Sequence, residues 1–194
     1  FFLEYLGSET LGLYQLYGQL FMYLALAEAG FTTASLYSLY KPIASNDKDK
    51  INQLLSGTNR IFKIIGSIMI LIGIVLSFFV TFFIKEYTFS TFFIQSTFLL
   101  FLILNVIHYF FTPHVILYDA EQKKYIPNFI QQIGLIIKTS TEIILLLLGF
   151  DLYNILITSI FIILITNIII RKKSLYDHPW LNLKSKKDFG MWDG

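Results

Sequence analysis

The chain has 194 residues, of which 55% are hydrophobic and 14% are charged, and its mean hydropathy is +0.64. Its formal charge is +2 and it has no cysteine, which excludes a disulfide framework and a thiolate metal site. Several segments reach the roughly 20 apolar residues that a helix needs to cross a bilayer, so the composition is typical of a membrane protein.

The uncharged segments predict a polytopic, all-α membrane bundle of about five transmembrane helices in a single membrane domain. Residues 1–8 are short, and we expect the end of an earlier span followed by a loop. The first predicted helix is too long for the roughly 30 Å hydrocarbon core, so it should break, most naturally at Gly30. The predicted helices cover residues 11–40, 62–84, 89–112, 126–148 and 152–170.

The sequence also predicts the nature of the links between these helices. Residues 41–63 predict a polar loop that ends in an amphipathic lead-in, and residues 171–194 predict a basic cytoplasmic tail or linker. Pro113 should kink or end its helix near Thr112. Trp180 suits an anchor at the membrane interface. Small side chains at Gly66, Gly73 and Ser77 predict a packing seam between helices.

The basic residues fall in alternate links. They concentrate in residues 41–63, at Lys123 and Lys124, and after Arg171, whereas the other links carry almost none. This pattern predicts that the basic links are cytoplasmic, so the five spans begin outside and end inside. Basic loops beside membrane spans are an ordinary topology signal, so we expect membrane lipids and no nucleic acid as partners.

One predicted helix carries charges near its middle. In residues 126–148, Asn128, Gln131, Lys138 and Glu142 follow a three-four spacing, with Leu135 in the one gap, and therefore share a helical face. A charged side chain at mid-bilayer costs at least about 2.5–3.5 kcal/mol and usually faces a bundle interior or a water-filled cavity. The alternative is structural, because Lys138 and Glu142 are four residues apart and can neutralise each other.

Three further residues are weaker candidates for the same cavity. Glu28 interrupts the first predicted helix, and the alternative is an interfacial carboxylate near a helix end. Asn105 and His108 are three residues apart and share a face. For His108 the alternatives are a hydrogen-bonded histidine at the membrane border and a proton relay.

The sequence favours neither a metal centre nor an enzyme. Its histidines, at positions 108, 114 and 178, lack the spacing of an HExxH site. Asp47 and Asp49 are similar to the Asp-x-Asp element of sugar-nucleotide transferases, but a solvated charge cluster is the simpler interpretation. We therefore expect no metal, no cofactor and no catalytic residues. A membrane-embedded glycan-modifying enzyme is the least favoured alternative, because it should present clustered carboxylates and histidines.

The whole chain resembles the N-terminal half of polysaccharide-biosynthesis oligosaccharide flippases, which belong to the multidrug/oligosaccharidyl-lipid/polysaccharide exporter superfamily. The segments that carry the resemblance are residues 6–14 (LGSETLGLY), 26–31 (LAEAGF), 49–52 (DKIN), 122–126 (QKKYI) and 179–181 (PWL). The resemblance implies two six-helix lobes around a central cavity, of which this chain would supply helices two to six of the first. We expect a piece of a longer protein.

The resemblance also implies a function and a location. A flippase of this family moves an undecaprenyl-diphosphate-linked oligosaccharide from the inner to the outer leaflet of a bacterial or archaeal plasma membrane, for surface polysaccharide export. Its expected partners are the lipid-linked oligosaccharide and the polymerase and glycosyltransferases of the same pathway. The alternative within the superfamily is a cation-coupled multidrug exporter, which should use acidic cavity residues such as Glu28 and Glu142.

Overall fold

The computed structural model describes residues 2–26, 29–83 and 89–183, and helices account for 88% of the structure. Short 3-10 turns follow two of the helices, at Val80–Phe83 and Ile107–Phe110. The predicted all-α class is confirmed for the described residues. The helices are α1 (Phe2–Leu26), α2 (Ala29–Ala44), α3 (Lys48–Phe79), α4 (Thr91–Val106), α5 (Thr112–Ala120), α6 (Tyr125–Leu147) and α7 (Leu152–Asp177).

Within the described residues, four stretches are long and apolar enough to cross a membrane, as expected of a multi-pass membrane protein. They are Lys48–Phe83, Thr91–Phe110, Tyr125–Leu147 and Leu152–Asp177. The predicted first span, residues 11–40, is not among them, because α2 has only 16 residues and α1 carries several polar side chains. The structure thus supports four of the five predicted spans.

The beginning of the chain is helical where a loop was expected. α1 starts at Phe2 and is kinked at Gly7, whose φ of 80° is readily adopted only by glycine. The break expected at Gly30 falls beside residues 27 and 28, which lie outside the described residues, and Gly30 itself is in the first turn of α2.

The long polar loop predicted for residues 41–63 is wrong. α2 continues to Ala44 and α3 starts at Lys48, so the link is three residues long. The Asp47 side chain accepts a hydrogen bond of 2.9 Å from the backbone N–H of Lys50, which caps α3. Because this cap starts the helix early, the basic residues of the expected loop, apart from Lys41 on α2, lie on the first half of α3.

The helix break predicted near Thr112 is present, and Pro113 lies just after it, in the first turn of the next helix. α4 stops at Val106, the 3-10 turn Ile107–Phe110 follows, and α5 starts at Thr112 with Pro113 in its first turn. Proline is well tolerated there, because the first backbone N–H groups of a helix have no partner within the helix. The predicted helix over residues 89–112 is therefore shorter, and its break comes earlier than expected.

α4 lies at the centre of the bundle, where it packs against α1, α3 and α7. Phe98 and Phe101 of α4 meet Tyr17 and Phe21 of α1 with ring centroids 5.3–5.8 Å apart. The hydroxyl of Tyr17 donates a hydrogen bond of 2.8 Å to the backbone oxygen of Ile94. These contacts fix the rotation of α1 on α4.

The predicted packing seam on α3 is confirmed. Gly66, Gly73 and Ser77 are buried, and a Cβ built on Gly73 would lie 2.5 Å from the Leu102 side chain of α4. On Gly66 it would lie 3.4 Å from Tyr109. The small residues therefore let α3 approach α4 closely, as is usual for helices in membranes.

Candidate functional site: a polar face at helices α1 and α6

Lys138 and Glu142 form an ion pair near the middle of α6. The Lys138 Nζ lies 2.7 Å from Glu142 Oε1, and the two side chains are only 14% and 21% exposed. Ser159 of α7 donates a hydrogen bond of 2.7 Å to the same carboxylate oxygen. The pairing considered from the sequence is thus present, and it is anchored to a neighbouring helix.

α7 closes one side of this pair. α6 and α7 are in close contact, and a Cβ built on the buried Gly134 would lie 2.4 Å from Thr166 Oγ1 and 3.2 Å from Thr166 Cβ. Only glycine allows this approach. A ligand for Lys138 would therefore have to arrive from the side of α6 that faces away from α7.

α1 lies on another side of the pair. Tyr14 of α1 is close enough to interact with the charges of both Lys138 and Glu142. Its ring also packs edge-on against Phe101 at a centroid distance of 5.1 Å, which ties this part of α1 to the core. Side chains of α6 and α7 therefore form the site of the ion pair, and Tyr14 of α1 lies within electrostatic range of it.

Exposed polar side chains are present on both α6 and α1. On α6, Asn128, Gln132 and Thr139 are exposed and fall within an arc of about 40° at 100° per residue, next to Glu142. On α1, Gln15 and Gln19 are exposed and share a face that lies about 100–140° around the helix from Tyr14. We call these five residues, together with Lys138 and Glu142, the α1–α6 polar face.

Gln132 and Thr139 were not predicted at the site, although their spacing places both of them there. Gln132 lies four residues after Asn128, and Thr139 lies seven after Gln132, so both fall on the face of Asn128. The predicted Gln131 is half-buried beside that face. The polar stripe of α6 is therefore wider than the four predicted residues.

Asn105 and His108 find partners elsewhere. The Asn105 amide donates a hydrogen bond of 2.8 Å to the Phe101 backbone oxygen of its own helix. His108 lies on the 3-10 turn after α4, with its Nδ1 3.5 Å from the buried Asn167 amide of α7. The structure gives both residues contacts on α4 and α7 in place of α6. Glu28 lies outside the described residues.

A second polar cluster joins α5 to the end of α7, where many of the basic residues lie. His114 Nδ1 is 3.0 Å from Ser174 Oγ, and His178 bridges the Ser174 backbone oxygen and Glu121 Oε1 at 2.9 Å each. We call this cluster, which also includes Tyr118 and Asp177, the basic-end network. The Tyr118 hydroxyl donates to Asp177 Oδ2 at 2.7 Å, and Lys173 contacts Asp177 Oδ1 at 2.6 Å.

The basic-end network is buried enough to alter proton affinities. Burial, with smaller effects from the charges of Arg171 and His178, lowers the pKa of His114 to about 4. Burial and the hydrogen bond to Asp177 raise the pKa of Tyr118. His114 is therefore neutral in the folded protein at neutral pH, and its partner is the Ser174 hydroxyl rather than an acid.

The described part of the predicted tail or linker is bound to the bundle. We call residues 178–183 the strap, because they lie along the start of α3. The Asn52 side-chain amide donates a hydrogen bond of 3.1 Å to the Trp180 backbone oxygen and accepts one of 2.7 Å from the backbone N–H of Asn182. The Ser56 hydroxyl donates a hydrogen bond of 3.1 Å to the Asn182 backbone oxygen. Trp180, expected at the membrane interface, packs against His178.

Comparisons with models of protein families gave no significant match for this chain. Comparisons with curated proteins and with solved structures also gave none.

Proposed function

We propose that the chain forms part of a membrane transporter in which the α1–α6 polar face lines a water-filled path. One observation carries the proposal. The ion pair of Lys138 and Glu142 lies near the middle of an apolar helix and is flanked by exposed polar side chains on two helices. Bilayer hydrocarbon cannot solvate such groups, so they should face water or another protein surface.

We further propose that the cargo is a lipid-linked oligosaccharide, moved from the inner to the outer leaflet of a plasma membrane. The polar face supports such a cargo, because amides and hydroxyls of Gln15, Asn128, Gln132 and Thr139 can hydrogen-bond sugar hydroxyls. Lys138 supports it as well, because a cation offsets part of the desolvation of a diphosphate headgroup. The sequence resemblance to oligosaccharide flippases supplies the class of lipid.

A cation-coupled drug exporter is less well supported. Such a transporter needs an acidic group free to bind a cation, whereas the Glu142 carboxylate already contacts Lys138 and Ser159. The charges of the pair cancel when no cargo is present. The exposed amides and hydroxyls around the neutral pair favour a polar cargo.

The test is to express the gene that encodes this chain in a bacterium that lacks its own oligosaccharide flippase, and to measure surface polysaccharide. The wild type should restore it. Lys138→Gln should lower the export rate at least about tenfold, because a hydrogen bond to a charged group contributes about 1.5–3 kcal/mol. Lys172→Gln is the matched control, because it removes an exposed lysine near the end of α7, and this variant should export normally.

Either of two outcomes would contradict the proposal. If the wild type restores no polysaccharide with several donor glycans but confers resistance to cationic drugs, the drug exporter replaces the flippase. If Lys138→Gln exports as well as Lys172→Gln at matched expression, the cargo does not use the α1–α6 polar face.

A further inference from the structure

Two basic residues lie where the apolar part of α3 begins. Arg60 and Lys63 are both exposed, and Lys63 directly precedes residues 64–84, which carry no charge. α3 belongs to the stretch Lys48–Phe83, which is long and apolar enough to cross a membrane. The two side chains therefore lie where the hydrocarbon core of a bilayer would meet its headgroups, and their long stems let the charged ends reach the phosphates.

The fold does not balance these two charges. Three lysines at the same end of the bundle, Lys123, Lys124 and Lys173, each have their Nζ 2.6–3.1 Å from a carboxylate oxygen. In the part of the chain that the structure describes, neither Arg60 nor Lys63 forms an ion pair. Residues three apart on a helix are neighbours, with Cβ atoms about 5–6 Å apart, so these like charges repel each other. An anion bound between them would remove that repulsion.

Exposed apolar side chains continue along α3 from the two cations. At 100° per residue, four of them lie within about 40° of Arg60 around the helix, and Lys63 lies about 60° from Arg60. These four side chains, which we call the α3 stripe, are Ile64, Leu71, Ile74 and Phe78. The surface thus has two cations at one end and an apolar stripe beyond them, which complements a phosphate group followed by acyl chains.

We propose that Arg60, Lys63 and the α3 stripe bind an anionic phospholipid of the inner leaflet. Its phosphate lies between the two cations, and an acyl chain lies along the stripe. A zwitterionic headgroup would bring its own cation next to Arg60 and Lys63, whereas an anionic headgroup adds only negative charge. The site is on α3 and the proposed cargo path is on α1 and α6, so the lipid site does not depend on the proposed function.

The test is a titration of the full chain in detergent micelles with phosphatidylglycerol or phosphatidylcholine, in which native mass spectrometry counts the bound lipids. The wild type should bind the first phosphatidylglycerol at least about fivefold more tightly than the first phosphatidylcholine, which is the contribution of roughly one basic residue near an anionic surface. Arg60→Gln combined with Lys63→Gln should lose this preference. Arg60→Lys keeps the charge and should keep the preference.

Lys123→Gln combined with Lys124→Gln is the matched control. It removes the same charge from the same end of the protein, but from lysines that already have carboxylate partners, so it should keep the preference for phosphatidylglycerol. If this control loses the preference as well, net charge and not the α3 site attracts the lipid. If the Arg60 and Lys63 double variant keeps the preference, or the wild type shows none, the site is wrong.

Glycerol phosphate separates a lipid site from a site for free phosphate. Because it lacks the acyl chains that would contact the α3 stripe, an equimolar amount should not displace phosphatidylglycerol from the wild type. Displacement would show that the two cations bind a soluble phosphate and would overturn the assignment to a lipid.

A second measurement locates the lipid on the chain. Phosphatidylglycerol with a photoreactive group on an acyl chain, added to phosphatidylcholine vesicles that hold the full chain, should label residues 64–78 of α3. This labelling should fall at least about fivefold in the Arg60 and Lys63 double variant, while labelling of α7 stays the same. Equal labelling of α3 in both proteins would contradict the proposal.

Discussion

The basic-end network and the α1–α6 polar face are built from similar side chains, yet they differ in how those side chains are partnered. In the network, His114, Tyr118 and Glu121 of α5 and the following turn bond across to Ser174, Asp177 and His178, so the groups hold the helices together. In the polar face, one ion pair is anchored to α7 and the surrounding amides and hydroxyls are exposed. Polar groups that are bonded between elements stabilise the fold, and those left open can serve a passing ligand.

The largest effect on stability should come from acid acting on the network. The pKa of His114 is about 4 in the fold, below its usual value of 6.5, so the unfolded chain binds the proton more readily. The stabilisation is therefore fully present above about pH 6.5 and is lost as the pH falls toward about 4, by up to about 3 kcal/mol. Melting temperatures from pH 7 to 4 should drop less steeply in His114→Gln than in the wild type, and parallel curves would contradict this account of His114.

Closing the seam between α6 and α7 should give the next largest effect. Gly134→Ala places a Cβ against Thr166, whose branched side chain can hardly move aside, and should destabilise the protein by about 1–3 kcal/mol. Gly18→Ala is the control, because its Cβ meets nothing within 4 Å and alanine favours a helix. Thermal unfolding in detergent measures both. Equal stability of the two variants would show that α7 does not close this side of the ion pair.

Release of the strap should cost somewhat less. Asn52→Ala removes two hydrogen bonds to the strap and should lower stability by about 1–2 kcal/mol, since each contributes about 0.5–1.5 kcal/mol. Proteolysis after Trp180 should become faster. Ser67→Ala is the control on the same helix, because its hydroxyl bonds only to the Lys63 oxygen of α3. An unchanged cleavage rate in Asn52→Ala would contradict the docking of the strap.

The smallest effect on stability should come from the polar face, where the effect on transport should be large. Replacing Lys138 by Met and Glu142 by Leu together removes a pair whose desolvation offsets its attraction, so the free energy of unfolding should change little. Export of polysaccharide should nevertheless fall as in Lys138→Gln. A double variant that exports normally would show that the ion pair has a purely structural role.

The sequence could predict features that depend on neighbours within one helix. The bounds of α6 follow from its apolar run, and the seam of Gly66 and Gly73 follows from their spacing of seven. The Lys138–Glu142 pair, which was the structural alternative, follows from a spacing of four, and the structure shows each of these features. The same spacing also predicts that Gln132 and Thr139 belong to the polar stripe of α6.

Features that depend on residues distant in sequence could not be predicted in this way. The bonds of the basic-end network that cross between elements join residues 57 to 60 positions apart, and the strap bonds join residues 124 to 130 apart. No periodicity connects such residues before the helices have packed. The polar loop that starts at residue 41 was predicted too long, because the Asp47 cap marks the start of a helix where charge alone suggests a loop.

The central claim is that the α1–α6 polar face meets water inside the membrane, and cysteine labelling tests it most directly. The chain has no cysteine, so Thr139→Cys and Ile137→Cys each give a single thiol at nearly the same depth of α6, on opposite sides of the helix. A membrane-impermeant maleimide reacts with the thiolate, and each unit by which apolar surroundings raise the pKa of a thiol lowers its thiolate fraction about tenfold. The account predicts that Thr139→Cys reacts at least about tenfold faster than Ile137→Cys. Equal protection of both thiols would show that this face is covered by lipid or protein, and would contradict the claim.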